Sequence, residues 1–177
     1  MPRDHRRAYH EAGHAALAAR HEIAIQRVAL NRLPGRMSSS TFQSALDYCP
    51  LHVGRVIDES RLDKYISFLL AGSATEMLAM EYYHEFTGRD ATQDRFRQRW
   101  YQLAWARPEL HLDLAYYYMI VWGSAPLNHI GRWKLSCWRT ALSMVCHRQV
   151  WQAIEQVAQR LIAGEVLQQE DITAALL

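Results

Sequence analysis

The hydrophobic and polar positions along the first part of the chain predict a helix followed by strands. Residues 6–20 are rich in alanine, with His and Glu among them, and this composition favours a helix that can accommodate Gly13. Residues 23–30 contain β-branched residues separated by short polar breaks, which predicts a strand. Pro34 and Gly35 predict a turn, and residues 37–42 form either a second, polar strand or a loop.

The remainder of the chain has mainly helical periodicity. Apolar residues at spacings of three and four predict a helix over 59–83. A second helix is predicted to start near Thr92 or Asp94, and a third runs from Pro108 to before Gly123. One long helix is predicted over 128–163 with Gly164 as its C-cap, followed by a short helix over 170–177.

These elements predict a mainly α fold with a small β-sheet, an α+β arrangement in one domain. Residues 1–58 would contribute the first helix and the sheet, and residues 59–177 the helical part. The length of 177 residues suits one domain, and half of the residues are apolar, including 6 Trp and 9 Tyr. Such a composition excludes a disordered chain, because disordered chains are poor in aromatic residues.

The charge balance argues against a nucleic-acid partner. The formal net charge is only +2, from 20 Lys and Arg against 18 Asp and Glu. Arg95, Arg97 and Arg99 beside Trp100 alternate along a predicted helix and do not share one face, so we interpret them as a solvated surface. Trp133, Trp138 and Trp151 are predicted to lie in the core or in an interface between subunits of a homo-oligomer.

The cysteines indicate a reducing compartment. Cys49, Cys137 and Cys146 form neither an even disulfide framework nor a Cys-x-x-Cys pair, which predicts buried free thiols. The first residues contain no apolar stretch typical of a secretory signal, and no long stretch is apolar enough to span a bilayer. A cytoplasmic location is therefore expected.

The segment with the clearest chemistry is His10-Glu11-Ala12-Gly13-His14, an H-E-x-x-H motif on the first predicted helix. Residues four apart share a helical face, so both imidazoles can reach one ion at about 2.0–2.1 Å. Glu11 flanks the first ligand and can accept the proton of a water that zinc has acidified. The motif predicts a Zn²⁺ site with Glu11 as general base; the competing interpretation is a helix with exposed His and Glu.

Residues 8–15, Ala-Tyr-His-Glu-Ala-Gly-His-Ala, resemble the zinc-binding helix of the peptidase domain of FtsH-type ATP-dependent zinc metalloproteases. Three later segments resemble the same family in the same order. They are the strand at residues 26–30 before Pro34 and Gly35, the small-residue helix at 70–78 that contains Glu76, and the run from Thr87 and Gly88 to Asp94. The resemblance implies a zincin-like architecture and zinc metalloendopeptidase activity.

The resemblance also implies roles for three carboxylates. Asp94 would be the third zinc ligand, with Asp90 as the alternative because the segment from Gly88 to Asp94 is two residues longer than in the family. Asp94 can otherwise be a helix N-cap. Glu76 would orient a ligand His through its other ring nitrogen. The alternatives are that it ligates the metal directly or that it is an exposed or salt-bridged residue without a role at the metal. We assign none of the remaining His residues to the metal.

The chain departs from the family in one respect that bears on its substrate. It contains no G-x-x-x-x-G-K-[ST] phosphate loop, although family members feed substrates to the protease with an ATPase. The chain is therefore predicted to act on peptides or unfolded proteins. The alternative is that a separate ATPase or membrane protein delivers the substrate. The strand around Val28 is expected to pair with the extended peptide. The alternative is a non-catalytic interaction module that keeps the fold and retains or has lost the metal.

Overall fold

The chain is described here by a computed structural model that covers residues 1–30, 39–41, 59–83, 91–105 and 127–177. Helices account for most of these residues, and a small sheet accompanies them, as the sequence predicts. In chain order the elements are α1 (Arg3–Arg20), β1 (Arg27–Ala29), β2 (Ser39–Thr41), α2 (Glu59–Tyr83), α3 (Ala91–Trp105), α4 (Leu127–Val145), α5 (Arg148–Ala163) and α6 (Gln169–Leu176). The predicted turn at Pro34 and Gly35 and the predicted helix from Pro108 lie outside the described residues.

Helix α1 lies at the centre of the fold, where it packs against α2 and α5. Its small side chains allow a close approach, and Ala8, Ala12 and Ala15 are fully buried. At Gly13 an added Cβ would collide with the side chain of Thr75 and would lie 2.8 Å from the carbonyl oxygen of Ala71 in α2. Gly13 is therefore required for the two helix backbones to approach this closely.

One hydrophobic cluster joins the first helix and sheet to the later helices. Leu17 of α1 and Leu161 of α5 are fully buried in it, and burial of each such side chain contributes roughly 1.5–3 kcal/mol. Trp138 is also buried, and Trp151 stacks on Tyr9 with 6.1 Å between ring centroids. Trp138 and Trp151 therefore pack with the core, which is the first of the two locations predicted for them.

The first strand is shorter than predicted, and the second strand is present. β1 covers only three of the residues predicted as strand, and β2 shows that the strand alternative for residues 37–42 holds at Ser39–Thr41. The strands are antiparallel, with Val28 opposite Ser40. Val28 also pairs with Leu167 on its other side, through two backbone hydrogen bonds of 2.9 Å.

The single long helix predicted over 128–163 is wrong, because the chain leaves the helical path between Val145 and Arg148. His147 has φ −63° and ψ 130°, an extended conformation that caps the start of α5. The break directs α4 against α2 and α5 against α1, so tertiary packing overrides a continuous helical pattern. Gly164 ends α5 in the left-handed region with φ 94°, and its prediction as C-cap is confirmed.

Two predictions about surface residues need correction. Cys137 is a buried free thiol as predicted, but the free thiol of Cys146 is exposed, because it lies at the break between α4 and α5. Arg97 is not simply solvated: it donates two hydrogen bonds to the buried Glu81 of α2 and so ties α3 to α2.

None of the described helices combines the length and apolar character needed to cross a bilayer.

His21 is a buried histidine with a structural role at the end of α1. Its Nε2 lies 3.0 Å from Ser67 Oγ, which itself donates to the carbonyl oxygen of Lys64 at 2.8 Å. Ser67 must therefore accept the hydrogen bond, and Nε2 of His21 carries the proton of a neutral ring. Burial, together with the charges of Lys64 and Arg20, lowers the pKa of His21 from 6.5 to about 4.

This pKa predicts that acid destabilises the fold through His21. In the unfolded chain the ring takes up a proton near its usual pKa of 6.5, whereas the folded chain resists it down to about 4. Stability should therefore fall as pH decreases from about 6.5 to about 4, by up to about 3 kcal/mol from this residue. Urea unfolding at pH 7 and pH 4.5 checks this against His21→Gln, which keeps the donor to Ser67. Equal pH dependence in both proteins would contradict it.

Candidate metal centre

The two histidines of the H-E-x-x-H motif face each other on the side of α1 that packs against α2. Their Nε2 atoms are 3.1 Å apart, and the rings meet edge to face with 4.7 Å between centroids. The spacing of four residues produces this arrangement, because it places both side chains on one helical face. The structure therefore brings His10 and His14 together as the motif predicts.

The outer nitrogens of the two rings have acceptors that set their tautomers. Nδ1 of His14 lies 2.9 Å from the carbonyl oxygen of Phe68, which can only accept a hydrogen bond. Nδ1 of His10 lies 3.3 Å from Oε2 of Glu76. These acceptors favour the tautomer with the proton on Nδ1 in both rings, which leaves the two facing Nε2 atoms as the nitrogens that can bind a metal ion.

This donor set fits a metal ion. Two nitrogen lone pairs 3.1 Å apart repel each other unless a cation or a proton lies between them. Ligands at about 2.0–2.1 Å from one zinc ion lie within about 4.2 Å of each other, and the two Nε2 atoms satisfy this limit. Each ring also has its other nitrogen held by an acceptor, as is usual for histidines that bind metals.

Gly72 of α2 provides the space that the two imidazoles occupy. A Cβ added at this position would lie 2.7 Å from Cε1 of His10 and 2.7 Å from Cδ2 of His14, and still closer to Nε2 of His14. Carbon atoms do not approach each other so closely without displacement. Gly72 is therefore part of the candidate site, and the sequence signals it only as one member of a small-residue run.

Glu76 has the contact that an orienting residue needs. Its carboxylate is buried, with Oε2 toward Nδ1 of His10 and Oε1 accepting two hydrogen bonds from Arg6. Burial alone raises the pKa of Glu76, but the hydrogen bonds and charges of His10 and Arg6 outweigh it and hold the pKa below its usual range. Because Nδ1 is on the other side of the ring from the lone pair of Nε2, this geometry disfavours Glu76 as a direct ligand.

Glu11 lies on α1 beside His10, and its side chain is only 6% exposed. The alternative interpretation of the motif, a helix with exposed His and Glu, requires a solvated Glu11 and does not agree with this burial. Glu11 is thus a buried carboxylate directly beside a candidate zinc ligand, the position in which the motif predicts the general base.

The predicted third ligand follows α2 in the chain, at Asp94 or Asp90. Asp94 belongs to α3, but its side chain and the whole of Asp90 fall outside the description. Within the described ranges, no group of three or more His, Cys, Asp and Glu residues could hold a metal ion. The assignment of Asp94 therefore stays a prediction.

The expectation that β1 pairs with a peptide substrate is wrong. Both the N–H and the C=O of Val28 bond to Leu167, so one side of the strand is occupied. Its neighbours Arg27 and Ala29 face the other side, where β2 pairs with them. The partner at Leu167 is 139 residues away in sequence from Val28, which local periodicity does not reveal.

No protein family matches the chain when it is compared with family profiles, and no curated protein matches it. The helical fold and the paired histidines therefore carry the functional argument.

Proposed function

We propose that this protein is a zinc-dependent metalloendopeptidase with the zincin-like architecture of the FtsH peptidase domain. The observation that carries the proposal is the convergence of the His10 and His14 Nε2 atoms at 3.1 Å, with both Nδ1 atoms held by acceptors. Gly72 and Glu76 support it, because one makes room for the rings and the other orients His10. The substrate is a peptide or an unfolded protein.

In this proposal His10, His14 and Asp94 hold the ion, and Glu11 acts first as the general base and then as the general acid. Zinc, when bound, supplies a Lewis acid that polarises a water molecule and the peptide carbonyl. The water oxygen forms a bond to the carbonyl carbon while Glu11 accepts its proton. Glu11 then delivers that proton to the amide nitrogen as the C–N bond breaks, which releases a carboxylic acid and an amine. The acid gives up its remaining proton to the amine, so that a carboxylate and an ammonium group leave.

The alternative function is a non-catalytic interaction module that keeps the fold and some metal affinity. One observation favours it: the segment from Gly88 to Asp94 is two residues longer than in the FtsH-type family, which changes the surroundings of the expected third ligand. The position of Glu11 favours the enzyme, because it places a buried carboxylate directly beside a candidate zinc ligand.

The test is zinc-dependent cleavage of an unfolded protein by the purified chain. We expect cleavage with zinc, none after a chelator removes it, and recovery when zinc is restored. Asp94→Ala should abolish cleavage and lower zinc affinity far more than Asp90→Ala, because a catalytic zinc needs three protein ligands. A collapse of affinity in Asp90→Ala alone would reassign the third ligand. Zinc binding without any cleavage by wild type would favour the interaction module.

A further inference from the structure

Arg6 contacts two other helices beside the candidate metal centre. It lies one turn before His10 on α1, and its Nε and Nη2 donate to Oε1 of Glu76 at 2.8 and 2.6 Å. Its guanidinium lies over the ring of Trp100 in α3, with Cζ 5.7 Å from the centroid. One side chain thus links α1, α2 and α3.

The hydrogen bonds of Arg6 determine which oxygen of Glu76 is available to His10. Both donors use Oε1, and Oε2 is the oxygen that faces Nδ1 of His10 at 3.3 Å. A planar guanidinium holds a carboxylate in a defined orientation, which an ammonium on a flexible stem does not. Without Arg6, Oε1 loses both of these hydrogen bonds, and the guanidinium no longer fixes the orientation of the carboxylate toward Nδ1.

Trp100 anchors this arrangement. Its ring is only 7% exposed, so it is fixed in the core, and a cation over the face of a fixed indole is attracted to it. Arg6 itself is about half exposed, with 42% of its side chain accessible. Its position therefore depends on Glu76 and Trp100 rather than on burial.

We propose that Arg6 is a positioning residue for the metal centre: it fixes the Glu76 carboxylate against Trp100 so that Oε2 holds His10 with Nδ1 protonated and Nε2 available to the ion. This inference rests on the metal site of the proposed function and not on peptide-bond hydrolysis. A protein that binds zinc but cleaves nothing would refute the hydrolysis and leave the role of Arg6 intact.

The sign of the effect on zinc affinity separates positioning from simple charge. Removing a positive charge beside a dication should strengthen zinc binding if only Coulomb repulsion acts. If Arg6 positions Glu76, Arg6→Gln should instead lower zinc affinity by about 10-fold. This is the lower end of the range observed when a residue that orients a metal ligand is replaced. Arg6→Lys should also lose affinity, although it keeps the charge. Arg3→Gln, an exposed residue of the same helix, is the matched control and should lose none.

The experiment is zinc titration against a competing chelator for wild type, Arg6→Gln, Arg6→Lys, Arg3→Gln, Glu76→Gln and the double variant Arg6→Gln/Glu76→Gln. If Arg6 acts through Glu76, the double variant should lose less than about 2-fold beyond Glu76→Gln alone. Urea unfolding of the metal-free proteins verifies that each variant is folded. Unchanged or tighter zinc binding by Arg6→Gln would overturn the proposal.

A second measurement needs no metal. Proton–nitrogen NMR correlations of the imidazole rings in the metal-free protein report which nitrogen of His10 carries the proton. We expect Nδ1–H in wild type and in Arg3→Gln, and a loss of that preference in Arg6→Gln. If wild type binds no zinc, the proposed metal site fails, and this spectrum still decides whether Arg6 fixes the tautomer of His10. The same tautomer in wild type and Arg6→Gln would contradict it.

Discussion

Glu11→Gln is expected to retain zinc and to lose nearly all peptide-bond hydrolysis. The amide has the shape of the carboxylate but cannot accept the proton of the attacking water, and general-base catalysis of this kind contributes about 10²–10⁴-fold. Because glutamine has nearly the same size and shape as glutamate, the fold should be preserved. Cleavage rates of an unfolded protein by the zinc-loaded wild type and variant measure the effect.

The control for Glu11→Gln is Glu155→Gln, the same chemical change at an exposed position of α5. It should cleave as fast as wild type, which would exclude a general effect of losing one negative charge. Zinc content must be equal in all three proteins, so that the loss is assigned to proton transfer and not to the ion. Cleavage by Glu11→Gln at the wild-type rate would remove Glu11 as the base.

Gly72→Ala is expected to lower zinc affinity by at least about 100-fold, the upper end of the range for residues that orient ligands. The added Cβ would lie 2.7 Å from both Cε1 of His10 and Cδ2 of His14, so the rings must move. His14 cannot move freely, because its Nδ1 is bonded to the carbonyl of Phe68 one turn earlier in α2. The convergence of the two Nε2 atoms is then lost.

Two comparisons make the Gly72 prediction specific. Alanine in a helix interior is favoured over glycine by up to about 1 kcal/mol, so without a collision the variant should be more stable and bind zinc normally. Ser73→Ala is the matched control: this neighbour is buried, and its hydroxyl has no hydrogen-bond partner within the described structure. It should bind zinc as wild type does. Chelator competition measures both variants, and wild-type affinity in Gly72→Ala would refute the role of Gly72.

The sequence predicts those parts of the fold that local pattern controls. Helix α2 has the predicted bounds, Glu59–Tyr83, because apolar residues recur at spacings of three and four between Tyr65 and Met80. The break at Cys146 and His147 is not predicted, since neither residue is a Pro or Gly and the apolar pattern continues across it. That break follows from packing of α4 and α5 on different partners, which no local signal encodes.

The candidate site divides in the same way. His10, Glu11 and His14 are found from the sequence because helical spacing alone places them together. Glu76 is suggested only by a family resemblance, since it approaches His10 from 66 residues away. The sequence does not reveal the roles of Gly72, Phe68 and Arg6. Gly72 acts through the absence of a side chain, Phe68 through its backbone carbonyl, and Arg6 as a partly exposed arginine. These roles become visible only when α1 and α2 are packed together.

Zinc content of the purified protein tests the proposed metal centre most directly. Elemental analysis of wild type, His10→Ala and His14→Ala after removal of loosely bound metal is the measurement. We expect about one zinc per wild-type chain and almost none in either variant, because each loses one of the two Nε2 ligands. Wild-type protein without metal, or equal zinc in wild type and both variants, would contradict the metal site and the function proposed from it.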